Sequence, residues 1–234
     1  AYVRLRSEWL AALGLAQVTA AGGVTAILLG VHPLAGALGA AVVAAGVKGR
    51  TERSGNDIYA VFLFFGWSAA LLGAANSTRG EELSHALLEG QLYFTTWANL
   101  GAVLALVAVL TAAGPWLSRR LLLEHFFPEN MAANRQSPWR LHLAFDLLVA
   151  LSVALATESI GVMATFCLVF FPPWVAFRIA SSWKRALVHC AGMSVTAYLV
   201  AFVLAIVLDQ PFGPVLVGTL VVGGLARLPF HSRR

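Results

Sequence analysis

Charge is scarce in this sequence. Acidic and basic residues together make up 12% of its 234 residues, about half of the roughly 25% usual in soluble domains. Hydrophobic residues reach 59% and mean hydropathy is +0.78, so lipid rather than water surrounds most of the chain. Cysteine is nearly missing: Cys167 and Cys190 both sit inside apolar runs, which implies no disulfide framework. Catalytic signatures are missing as well. Without a G-x-x-x-x-G-K-[ST] loop the chain has no ATP site of that type, and G-x-S-x-G and H-E-x-x-H are likewise absent. No nucleophile and base stand at matched depth, so an intramembrane enzyme has nothing to work with. The formal charge of +5 first suggests nucleic acid as a partner. The basic residues, however, mark the ends of apolar segments instead of forming one stripe, which argues against it. Ala1–Trp9 is basic, but the apolar run after it is too long for a cleavable signal and lacks a small-residue cleavage pattern, so it reads as a first span.

What the chain has is apolar segments. A membrane helix needs about 20 mostly apolar residues, and eight segments qualify at 10–31, 34–47, 57–75, 97–117, 141–157, 159–177, 186–208 and 212–228. The expected fold is all-α: one polytopic transmembrane helix bundle over residues 1–234. The second segment is short and is separated from the first by His32-Pro33, which predicts a tight helical hairpin or a re-entrant pair. With the N-terminus inside, every Lys and Arg but Arg79 lies on the cytoplasmic side, fifteen of sixteen. An error of one span would destroy that asymmetry, so both termini are expected in the cytoplasm. Glu81, Glu82, Glu89 and Asp209 fall outside, and Glu158 is expected in a tight outer turn between the fifth and sixth spans.

Two connections are long enough to act. In the outer one, Asn76–Thr96, Leu83, Leu87, Leu88 and Tyr93 have helical spacing. The inner one, 118–140, contains HFFPENMAANRQSPWR. Pro128 suits a first helical turn, Glu129 complements the helix dipole, and Pro138 ends the element. A short helix between two prolines in an inner loop reads as a docking element.

Polar groups at membrane depth are costly unless paired or water-facing. His142 and Asp146, spaced i, i+4, share a helix face. They form either a weak metal-ligand pair or an interfacial pair satisfying each other. His189, Cys190 and Met193 are soft ligands in principle, but adjacent helical residues diverge by about 100°. Gln17, Thr19, Thr95, Thr96 and Asn99 line a polar path or bond between helices. Gly36, Ala40 and Ala44 make a small-residue face suited to close helix packing.

Five stretches in order resemble the permeases of zinc, manganese and iron ABC importers. IGVMATFCLVFFPPWVAF is similar to that family's T-V-G-V-L-L-V-S-A-L-L-V-I-P-A-A-T-A run, with Gly161, Val162, Leu168, Val169, Pro172, Val175 and Ala176 in register. FFPENMAANR resembles D-P-E-x-A-x-x-x-G through Pro128 and Glu129. LLGVHPLAGALGAAVVAA, SGNDIYAVFLFFGWSAALL and LDQPFGPVLV resemble three further family stretches. Against the usual G-D-A-L-S-H-A-x-L-P-G, Leu13 stands at the acidic position, Gln17 at the histidine and Gly22 at the closing glycine. Arg135 replaces the inner-loop glycine. Family members usually carry another apolar helix upstream of the point where this chain begins.

The resemblance implies a permease in a bacterial cytoplasmic membrane, paired with a second copy around a central pathway and contacting lipid. Separate ATPase subunits carry ATP and magnesium, and an extracytoplasmic metal-binding protein delivers the ion; the chain itself binds no cofactor. It implies a coupling helix formed by Pro128, Glu129, Asn130, Met131, Ala132, Ala133, Asn134 and Arg135. Gln17, Glu158, Pro172 and Pro173 are the pathway candidates. Glu158 either faces the pathway mouth or caps the following helix; the family often has a basic or amide residue there. Pro172 matches the family and Pro173 is extra, so the sixth span is expected to be jointed. An iron chelate or vitamin as cargo, or a channel or secondary transporter without ATPase, are the alternatives.

Overall fold

A computed structural model describes residues 2–6, 8–50, 55–77, 96–127 and 139–227. All secondary structure among them is helical: α1 (Tyr2–Leu5), α2 (Ala11–Leu28), α3 (Pro33–Gly49), α4 (Gly55–Ala75), α5 (Trp97–Phe126), α6 (Trp139–Ile160), α7 (Val162–Ile179), α8 (Trp183–Leu208) and α9 (Phe212–Arg227). Among the described residues six helices are long and apolar enough to cross a membrane, and α3 and the apolar part of α9 are shorter. The all-α polytopic bundle expected from hydropathy is the fold found.

Local chemistry sets the helix ends. His32 caps α3, its Nδ1 accepting the Leu34 N–H at 3.3 Å, and Pro33 occupies the first turn, where its missing N–H costs nothing. Thr96 caps α5 through the Asn99 N–H, and Ser182 caps α8 through Arg185. Between α6 and α7 the chain reverses on Gly161 at φ +84°, a conformation an L side chain adopts only under strain. This turn lies three residues past Glu158, which therefore belongs to the last turn of α6 instead of the connection.

Small residues bring α2, α3 and α4 together. A Cβ on Gly36 would collide with the Gly22 carbonyl, and one on Gly14 with the Tyr59 carbonyl. On Gly66 it would lie 2.5 Å from the Gln17 backbone. Such backbone-to-backbone approach is the usual adhesive between membrane helices, because lipid supplies no hydrophobic drive for them to associate. The Ala37, Ala41, Ala44 face of α3 is buried accordingly. The α2–α3 pair is a full hairpin: the last turn of α3 returns to the residues before α2, where Lys48 meets Glu8.

Among the described residues the apolar side chains form two large cores and a smaller one between α5 and α6. Of the large cores, one joins α2, α3, α4 and α6 through Leu15, Ala41, Tyr59 and Ala154. The other joins α7, α8 and α9 through Ala164, Ala201, Phe212 and Leu216. α5 packs least, burying only Leu117 and Leu121, both towards its C-terminal end against Leu141 and Phe145 of α6. It runs to Phe126, well beyond the expected end at 117, because SRRLLLEHF continues the helix past the apolar stretch. α7 likewise continues through Pro172 and Pro173 to Ile179 without an interruption of the helix. Proline has no N–H to give, so the prolines still leave the Leu168 and Val169 carbonyls without the usual helical donors.

Candidate functional site

The helix ends that gather the basic residues also carry a buried charge cluster. Lys48, in the last turn of α3, donates to both oxygens of Glu8 at 2.8 and 2.9 Å and to Asp146 Oδ1 at 2.7 Å. Arg6 donates to the same Asp146 oxygen at 3.0 Å and approaches Glu8 at 3.2 Å. Two cations and two carboxylates thus balance. Glu8 is 6%, Lys48 9% and Asp146 4% exposed, a burial that such groups tolerate only when paired. Aromatic faces close the cluster, with Tyr59 beneath the Lys48 ammonium and Phe145 beneath the Arg6 guanidinium, each at 5.1 Å. A second polar contact lies beside it: His142 Nε2 of α6 and Glu124 Oε1 of α5 are 2.6 Å apart. Tyr2 donates to Ser118 of α5 and meets the Trp183 ring of α8 edge-on at 5.2 Å, so the N-terminal segment ties these helix ends together.

The opposite end is polar in a different manner. His32 is an electrostatic neighbour of the Glu158 carboxyl, and the Asn99 side chain hydrogen-bonds it. Glu158 Oε2 and Asn99 Oδ1 are buried with no hydrogen-bond partner, as are the Thr157 and Thr165 hydroxyls on either side of the Gly161 turn. Elsewhere the helical hydroxyls bond back to carbonyls of the preceding turn, as Thr25 does to Ala21 at 2.8 Å and Ser152 to Leu148 at 2.7 Å. Buried side-chain oxygens without partners therefore gather at this end, two of them hydroxyls that can also donate.

The sequence candidates fall as follows. Gln17 is half-buried in mid-α2, its backbone pressed on Gly66. Pro172 and Pro173 are buried in α7 and Glu158 closes α6, so the pathway candidates stand on three helices. Pro128, Glu129, Asn130, Met131, Ala132, Ala133, Asn134 and Arg135 lie outside the described residues, as does most of the outer connection. His142 and Asp146 are not partners: one goes to Glu124 and the other to Lys48 and Arg6. Among the described residues no three histidine, cysteine or carboxylate side chains converge to hold a metal ion. His189 is exposed and Cys190 half-buried.

Sequence reasoning missed Glu8 altogether and counted Lys48 only as a basic residue on the cytoplasmic side. A signal was there. Ala37, Ala41, Ala44 and Lys48 follow the i, i+4, i+7, i+11 spacing of one helix face, and Asp146, Ala150, Val153 and Thr157 repeat it on α6. Each charge begins or ends a stripe of mostly small apolar residues, and both stripes are buried.

A family model described as the ABC 3 transport family matches residues 1–227. No curated protein matches the chain. Among solved structures, "PsaBC from Streptococcus pneumoniae in complex with Fab" shares the fold at a TM-score of 0.78 and 17% identity, covering 97% of this chain and 83% of that one.

Proposed function

This chain belongs to the ABC 3 transport family and is thereby the multi-pass membrane permease of an ATP-binding-cassette importer, and we propose that its cargo is a divalent transition-metal ion, zinc or manganese, carried into the cytoplasm. The observation that carries the reading is the family match over nearly the whole chain. The charge distribution supports an orientation with the basic end towards the cytoplasm of a bacterial inner membrane and the Glu158 end outward.

The work divides accordingly. A separate ATPase hydrolyses ATP with magnesium and docks on the 128–135 segment of each of two permease copies. An extracytoplasmic binding protein delivers the ion at the outer end. There Glu158 supplies a carboxylate and Asn99 a carbonyl oxygen, hard donors of the kind a dehydrating divalent cation accepts. Pro172 and Pro173 take the usual helical donors from the Leu168 and Val169 carbonyls and give α7 a compliant point within the bundle, which membrane helices tolerate where protein or water covers the backbone. Leu13 and Gln17 favour a second cargo, an iron chelate or a vitamin, since they remove an acid and a histidine where the resembling family has them.

Uptake of radioactive zinc and manganese decides between these cargoes. Cells or vesicles carrying the permease with its ATPase should accumulate at least one of the two ions in an ATP-dependent manner. Substitutions from Glu129 to Asn134 should abolish stimulation of ATP turnover. ATP-dependent uptake of a chelate or vitamin in place of both ions would transfer the assignment to the second cargo.

A further inference from the structure

Resting on the transport reading above, we infer that the Asp146–Lys48 contact is the joint through which movement at the inner end of α6 passes into the α2–α3–α4 block. Asp146 and Lys48 are positioning residues for transport. α5 ends at Phe126 and α6 begins at Trp139, so these two helices flank the 128–138 connection and take up any displacement of it. The helices flanking the connection are pinned to each other where His142 meets Glu124 at 2.6 Å. One turn deeper on the same face of α6 stands Asp146, 2.7 Å from Lys48 and 3.0 Å from Arg6. Lys48 in turn grips both oxygens of Glu8, immediately before α2.

On the far side of this joint the receiving body is stiff. α2 meets α3 and α4 with backbone against backbone at Gly36 and Gly66, where no side chain intervenes to yield. α6 meets α2 and α3 differently, through the small aliphatic residues Ala150, Val153 and Ala154. Smooth apolar contacts slide past one another. A buried charge pair does not, because any shift strands a charge away from water. The cluster therefore fixes how α6 moves relative to the hairpin, and the apolar contacts alone leave that register loose.

The electrostatics also provide a clean variant. Removing Lys48 and Asp146 together takes away one cation and one anion and leaves the Arg6–Glu8 pair at 3.2 Å. An apolar pair of similar volume in place of a buried ion pair commonly preserves stability. Lys48→Met combined with Asp146→Leu therefore keeps the fold and loses the joint. In proteoliposomes holding the permease, its ATPase and the binding protein, ATP hydrolysis and uptake of radioactive zinc or manganese are read together. The double variant should melt within a few degrees of the parent and still hydrolyse ATP, with ions imported per ATP reduced at least tenfold. A second pair, Lys48→Cys with Asp146→Cys in a chain whose Cys167 and Cys190 are alanine, is linked by a short bismaleimide and should regain most of the ratio. An unchanged ratio in the apolar variant, or no recovery on linking, overturns the joint. Absence of ATP-dependent uptake of either ion by the parent would instead overturn the metal-transport reading.

Discussion

At the basic end of the bundle, four charges from the N-terminal segment, α3 and α6 satisfy one another within 2.7–3.2 Å. At the other end, Glu158 and Asn99 each hold a buried oxygen with no partner, and two threonine hydroxyls nearby do the same. Buried polar groups are ordinarily paired, and leaving one unpaired costs about 1–3 kcal/mol. One end thus uses polarity to hold three segments in a single arrangement. The other leaves one oxygen each of Glu158 and Asn99 without a partner, which suits the pathway role proposed for that end. The two ends differ in kind, though the amounts of polarity are similar.

That contrast predicts where substitutions hurt stability and where they hurt transport. Lys48→Met alone breaks the balance, leaving Glu8 and Asp146 with Arg6 as their one cation. Removing one partner of a buried pair costs about 3–5 kcal/mol, so thermal unfolding of the detergent-solubilised protein should shift far downward. Gly36→Leu comes next, since its side chain has to displace the Gly22 carbonyl. Overpacking of this kind costs about 1–3 kcal/mol, and the melt should show it while the basic-end cluster stays intact. Glu158→Gln should reverse the pattern, with unfolding within about 0.5 kcal/mol of the parent and ion uptake reduced on the order of tenfold. A large stability loss in this variant would mean that the outer end is structural like the inner one. The smallest effect is expected for Pro172→Ala with Pro173→Ala. Donors are restored to the Leu168 and Val169 carbonyls, membrane insertion is unchanged, and uptake falls severalfold. Normal uptake would remove the prolines from the mechanism.

The bundle was legible from hydropathy because lipid imposes one rule, that a spanning segment satisfies its own backbone and shows apolar side chains outward. The details that escaped have other causes. α5 runs to Phe126 because helix propensity continues beyond the apolar window, and a span count sees the window alone. Glu158 belongs to α6 because the reversal needs the positive φ of Gly161, three residues later. The double proline lies inside α7, as the expected span to 177 required, because the helix absorbs two missing donors within an otherwise packed element. His142 and Asp146 share a face, yet each found a stronger partner on another helix. Spacing along one helix cannot register partners brought by tertiary packing. The Glu8–Lys48 contact joins positions forty residues apart across a hairpin, and its trace in the sequence was a charge at the end of a buried alanine stripe.

The most direct test of the account is uptake by proteoliposomes containing this permease, its ATPase and the extracytoplasmic binding protein. Zinc or manganese should enter when ATP reaches the ATPase, stop when the ATPase carries an inactivated catalytic site, and fall when Glu158 becomes glutamine. Ion entry that persists without a working ATPase would contradict the importer assignment and make the protein a channel or secondary transporter.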